Sequence, residues 1–115
     1  MDMKRLTLIS ACALLAACGG THGLRDNTPK LSSHTGKSVS AYVECARAKW
    51  SALSANASAS AKDESGHVSA TDKNGAHELL DVTADGSGAL VTMYERQNPK
   101  KDYDSRYREE AISCL

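Results

Sequence analysis

The chain has 115 residues, with 14 basic and 14 acidic side chains, four cysteines, one tryptophan, four tyrosines and no phenylalanine. That length holds one domain, and the balanced charge excludes a polybasic surface for nucleic acid or anionic lipid. With so few large apolar side chains the core must be small and aliphatic, so the domain is marginal on burial alone and gains from a covalent staple.

Lys4 and Arg5 are followed by an apolar run from Leu6 to Ala17, broken only by Thr7 and Ser10. A run of about twelve residues is too short to cross a hydrocarbon core of roughly 30 Å, which takes about 20 apolar residues as a helix. Residues 1–17 therefore read as a cleaved signal peptide. The run ends in Leu15-Ala16-Ala17-Cys18 and is followed by Gly19-Gly20. These four residues, with the run before them, resemble the lipobox of bacterial lipoproteins. The resemblance implies that the Cys18 thiol carries diacylglycerol through a thioether, that the peptide is cut before it, and that the new amine is acylated. Several acyl chains on one residue, at about 0.8 kcal/mol per buried methylene, anchor stably where a single chain is marginal. In that family an aspartate after the cysteine signals retention in the inner membrane. Gly19 stands there instead, which by the same resemblance implies a periplasm-facing anchor in the outer membrane. Lipoproteins share the processing site and little else, so the resemblance implies no activity for the domain.

Cys12 leaves with the signal and Cys18 is used by lipid, which leaves Cys45 and Cys114. Two cysteines in an exported, oxidising compartment read as a disulfide. Neither lies in a Cys-x-x-Cys spacing, and no histidine stands at ligand spacing from them. Closing a loop of about seventy residues contributes about 4 kcal/mol in the chain-entropy account.

Residues 18–37 are rich in Gly, Ser, Thr, Asn and Pro and lack apolar periodicity, which reads as a flexible tether with His22 and His34 solvated. The folded domain is then 38–115. Val39, Tyr42, Val43, Ala46, Trp50 and Leu53 recur at three- and four-residue intervals, so Ser38 to Leu53 is a helix capped by Ser38 or Ser40. Ser54 to Asp63 alternates partly, but alanine and serine bury little, and the stretch reads as a frayed helix end and a loop.

From Gly66 the period is two. Three strands are predicted, with turns at Asn74-Gly75 and Asp85-Gly86-Ser87-Gly88, giving an antiparallel meander. Leu80, Val82, Val91 and Met93 share the expected core side. A strict two-residue turn at Asn74-Gly75 puts Val68 and Ala70 with Leu79, so they join the core only if a bulge shifts the register. Leu79, Leu90 and Tyr94 form a second apolar row, which is a candidate partner surface unless loops or the tether cover it. After Asn98-Pro99, a final helix opening at Asp102 or Asp104 carries Tyr103, Tyr107, Ala111 and Cys114 at four- and three-residue spacing, with Ile112 and Leu115 on the adjoining row. The fold class is α+β: a small two-layer domain with an N-terminal helix, a three-stranded antiparallel meander, a C-terminal helix and one disulfide.

No reactive constellation emerges. There is no Gly-x-Ser-x-Gly, and Gly86-Ser87-Gly88 has no helix after it, so it is not a phosphate cradle. His67 and His77 with Asp72 or Asp81 invite a metal reading, but counting from a two-residue turn sets His67 opposite Val82, so the histidines do not pair. Glu109-Glu110 and Asp63-Glu64 are sequence neighbours that do not converge. The reading is therefore not an enzyme, without cofactor or metal. It is a membrane-anchored lipoprotein with a binding or structural role toward an envelope protein or cell-wall component, and with no nucleic-acid partner. The alternative is an inhibitor, immunity or prophage-exclusion lipoprotein acting on an envelope-directed toxin or hydrolase.

Overall fold

A computed structural model describes residues 22–97 and 105–115 of the chain. Cys18 and the processing segment lie outside the described residues, as do Asp102, Tyr103 and Asp104. A short 3-10 helix (His22–Asp26) leads to β1 (Leu31–Thr35), α1 (Val39–Leu53), β2 (Ala57–Ala61), β3 (Ser65–Asp72), β4 (Gly75–Asp85), β5 (Gly88–Glu95) and α2 (Arg106–Ser113). The strands form one antiparallel sheet in the order β1-β5-β4-β3-β2.

The mixed α and β composition and the disulfide are as the sequence implies, whereas the three-stranded meander and the leading helix need correction. The meander is the middle of a five-stranded sheet, and β1 precedes the helix. β1 falls within the expected tether. It forms because Leu31 packs against the core and Thr35 is buried, a pattern of two residues too sparse to show as periodicity. β2 falls in the expected loop. Its small side chains bury little area, but β3 supplies a partner for every residue from Ala57 to Ala61, and α1 packs over it.

α1 starts where Ser38 caps it, its hydroxyl accepting the Ala41 amide at 3.2 Å. Its buried stripe of Val39, Tyr42, Val43, Ala46 and Trp50 meets Val68, Ala70, Leu80, Val82, Val91 and Met93 from the sheet and Tyr107, Ala111 and Cys114 from α2. Both helices therefore cover the same sheet face. Ile112, expected on a row next to the buried one, is 45% exposed.

The hairpin register decides which residues face that core. Asp72 pairs with Gly75 across a turn at Lys73-Asn74, one residue earlier than predicted, and Gly75 takes φ +106°, where a side chain would strain the backbone. The ladder then shifts between Ala70 and Thr71, so that Ala70 pairs with Glu78 and Val68 with Leu80. This bulge at His77 is what turns Val68 and Ala70 into the core. Asp72 locks the turn: its Oδ1 accepts the Asn74 amide at 2.8 Å, and Arg96 from the end of β5 donates to both its oxygens at 2.9 and 3.0 Å. At the opposite end the turn is Gly86-Ser87, as predicted, and Gly88 allows β1 to approach, because a Cβ there would fall 2.0 Å from the Thr35 carbonyl oxygen.

α2 is held from three directions. Cys45 and Cys114 are bonded, with Cα atoms 5.9 Å apart. Tyr42 donates its buried hydroxyl to the Ala111 carbonyl at 2.7 Å, and Trp50 donates Nε1 to the Tyr107 carbonyl at 3.0 Å while its ring meets that of Tyr107 edge to face. Thr35 donates to the Leu115 carbonyl at 2.8 Å, and Lys37 donates to that of Cys114.

Two outcomes follow. Cys45→Ser, or reduction, lowers unfolding stability by about 2–5 kcal/mol, to be read from denaturant melts with and without reductant. An unchanged midpoint contradicts it. The Arg96 guanidinium, and then the Asn74 amide, hold the Asp72 carboxyl down at about 2. A depressed carboxylate stabilises the folded state fully above its ordinary value and loses that contribution as pH falls through the range between the ordinary value and about 2. Arg96→Leu should raise the Asp72 midpoint in a carboxyl-carbon NMR titration and move acid unfolding to higher pH.

Candidate functional site

The sheet face away from the helices is mostly polar, and the register lays it out in cross-strand rows. One row runs Ser32, Thr92, Asp81, His67 and Ser60 across all five strands. A second runs Tyr94, Leu79, Ser69 and Ser58, with the Ser58 and Ser69 hydroxyl oxygens 3.4 Å apart. A third runs His34, Leu90, Thr83 and Ser65.

The 3-10 helix closes one end of this face. Leu24, itself 5% exposed, packs with Ala76 and Leu79, and Tyr94 borders them. The neighbouring Arg25 donates Nε and Nη2 to the two carboxylate oxygens of Asp81, each at 2.7 Å, and its guanidinium is held above the ordinary value chiefly by that hydrogen bond. Asn27 donates its side-chain amide to the Glu95 carbonyl at 2.8 Å, completing the strap.

The candidate partner surface therefore does not exist as one strip. Leu79 is fully buried beneath Leu24, Tyr94 is half-buried, and Leu90 alone of the three is exposed, at 47%. The alternative cover considered for this row, the segment before the first helix, is what lies over Leu79.

Beside the strap, the face opens into a groove of about 350 Å³ lined by Arg25, Ser60, Lys62, Ser65, His67, Asp81 and Thr83 among others. Three basic side chains and three hydroxyls line it against one carboxylate, which Arg25 already engages. Ser60, His67 and Asp81 stand on adjacent strands and have the composition of a hydrolytic triad. Among the described residues, however, no hydrogen bond joins Ser60 to His67 or His67 to Asp81, and the Asp81 oxygens are turned to Arg25. A serine is activated only by a base within hydrogen-bond reach, itself oriented by a third group. This arrangement can bind polar or anionic groups, but it does not activate a nucleophile as it stands.

A second polar cluster lies on the helix side. Glu78 and Glu95 oppose one another and are both buried, the Glu78 carboxylate is 3.4 Å from His77 Nδ1, and the His77 ring meets Tyr107 edge to face at 5.4 Å. Sequence reasoning missed both clusters, although the period-two parity that puts Leu80 and Met93 inside also puts Glu78 and Glu95 there. His67 and His77 belong to different clusters, and His67 opposes Asp81 rather than Val82 because the turn lies one residue earlier and the bulge then takes up one residue of β4. Among the described residues no group of three His, Cys, Asp or Glu side chains is placed to hold a metal ion.

Set against protein-family models, curated proteins and solved structures, the chain matches none.

Leu24→Ala should uncover Leu79 and cost about 2–5 kcal/mol, the range for a buried leucine. A chemical melt measures the loss, and faster amide exchange at Leu79 and Tyr94 reports the uncovering. Arg25→Ala, which removes a partly exposed ion pair, should cost about 0.2–1 kcal/mol.

Proposed function

We propose that the chain is a small lipoprotein, cut before Cys18, lipidated there, and held at the outer membrane facing the periplasm, where it binds another envelope component without catalysing a reaction. The observation that carries this reading is the bond between Cys45 and Cys114. A disulfide suits an exported chain, and with Cys12 in the apolar leader it leaves Cys18, at the end of Leu15-Ala16-Ala17, as the one thiol of the mature chain for lipid.

The open sheet face supports the binding role. The helices cover one face, while the other presents a polar groove at residue positions 60–67 and 81–83 beside Arg25. Its chemistry suits a polar or anionic partner such as an envelope protein loop or a cell-wall component.

Radiolabelled palmitate should enter the native chain and not Cys18→Ala, which should leave the membrane fraction. An unmodified amino-terminal peptide in the mass spectrum of native material sinks the anchoring reading. For the binding role, a photo-crosslinking residue replacing His67 should trap an envelope component that the same residue at Ser51, exposed on α1, does not. Equal trapping at both positions argues against the groove.

A further inference from the structure

The sheet has two edges, and they are built differently. β1 begins two residues after Pro29, a residue that cannot donate to a ladder. β2 carries no proline, charge or bulge from Ala57 to Ala61. Natural edge strands are commonly blunted by such devices, and an edge without them is a template for another strand.

The direction of the β2 peptide groups follows from its ladder. Lys62 donates its amide to the Ser65 carbonyl at 2.8 Å, and the Asn56 carbonyl accepts the Thr71 amide at 3.3 Å. Hydrogen-bonded pairs alternate along an antiparallel ladder, so Ser58 and Ser60 bond to β3, while Ala57, Ala59 and Ala61 turn their N–H and C=O groups outward. The segment reads Ala-Ser-Ala-Ser-Ala, the same in both directions.

We propose that β2 pairs antiparallel with β2 of a second copy of this chain, Ala59 opposite Ala59, about a two-fold axis normal to the sheet. In this register Ala57 opposes Ala61 of the second copy, and every outward peptide group of both strands meets another. A shift by two residues in either direction leaves an outward residue of each copy beyond its partner's strand. The pairing is isologous and closes at two copies. It keeps the alanines on the helix side and the serines on the open side, so Ser60 comes opposite Ser58 of the second copy and Lys62 opposite its Asn56. Since Ser60 and Lys62 line the groove, the second copy supplies the groove's missing flank.

The test uses the full chain carrying Cys18→Ala, so that no lipid contributes. Sedimentation should give twice the chain mass, and the Ala57, Ala59 and Ala61 amides should become protected from exchange as concentration rises, while those of Ser58 and Ser60 are protected throughout. Ala59→Pro removes only an outward donor and should give a folded, disulfide-bonded monomer. The S58K/S60K chain sets like charges opposite one another twice and should weaken pairing about tenfold. The S58E/S60K chain sets opposite charges in the same places and should restore it. The proposal is overturned by a monomer at all concentrations whose three alanine amides exchange freely. It is overturned equally by a dimer that Ala59→Pro leaves intact, or by one in which S58E/S60K is as weak as S58K/S60K.

Discussion

The clamp between α1 and α2 is the constraint on which the rest depends. An eight-residue helix is unstable alone in water. Its place over the sheet comes from the Cys45–Cys114 bond and from the bonds that Tyr42 and Trp50 donate to its carbonyls. Tyr42 and Trp50 lie on the buried stripe of α1 and Cys45 at its margin, so one helix both caps the core and carries the fastening for the other. Tyr42 and Trp50 also explain how a core without phenylalanine closes. Each buries a large ring and satisfies its polar atom on an α2 carbonyl. Burial pushes the Tyr42 hydroxyl well above the ordinary phenol range, which favours the protonated form that donates to the Ala111 carbonyl. The end of α2 then reaches β1 through Thr35 and Lys37, closing a loop from the first strand to the last residue.

Register is the second determinant, and it links packing to the open face. The bulge at His77 puts Val68 and Ala70 under α1, and the same parity sets His67 opposite Asp81 outside. Without the bulge, every side chain of β3 from Ser65 through Ala70 would exchange faces. The groove is thus a by-product of the same slip that completes the core. Gly75 and the Asp72–Arg96 pair matter because they hold the turn from which that register is counted.

Much of this was legible in the sequence where many residues repeat a signal. The α1 stripe, the central strands, the Gly86-Ser87 turn and the cysteine pair each rest on several residues or on counting. What was not legible rests on one or two. β1 is announced only by Leu31 and Thr35, and the 3-10 helix only by Leu24, which reads as an isolated leucine in a polar segment until Leu79 is seen beneath it. β2 has strand period without strand propensity, and its neighbour β3 decides the matter. The turn position was misread because Asn-Gly suits the two-residue loop so well, whereas here Gly75 is the residue after the loop. A turn one residue later shifts each β3 partner by two, and the bulge at His77 offsets one of these, so the count without it ends with His67 opposite Val82 instead of Asp81 and hides the cross-strand row.

The row of Ser60, His67 and Asp81 shows why composition does not become chemistry by proximity. Strand spacing in a sheet puts each residue of a row about 4.8 Å from the next, so a serine, a histidine and an aspartate line up without being aimed at one another. What distinguishes a relay is the direction of the hydrogen bonds, and here Arg25 fixes the aspartate. The guanidinium takes both oxygens and adds a polar tie between the 3-10 helix and β4 beside the packing of Leu24 on Leu79. Asp81 is therefore engaged in holding the strap, and the exposed groups that line the rest of the groove are Lys62, His67 and the hydroxyls of Ser60, Ser65 and Thr83. Under the proposed binding role, charge and hydrogen bonding would be the means of recognition there, and the small residues of β2 set the shape of one side.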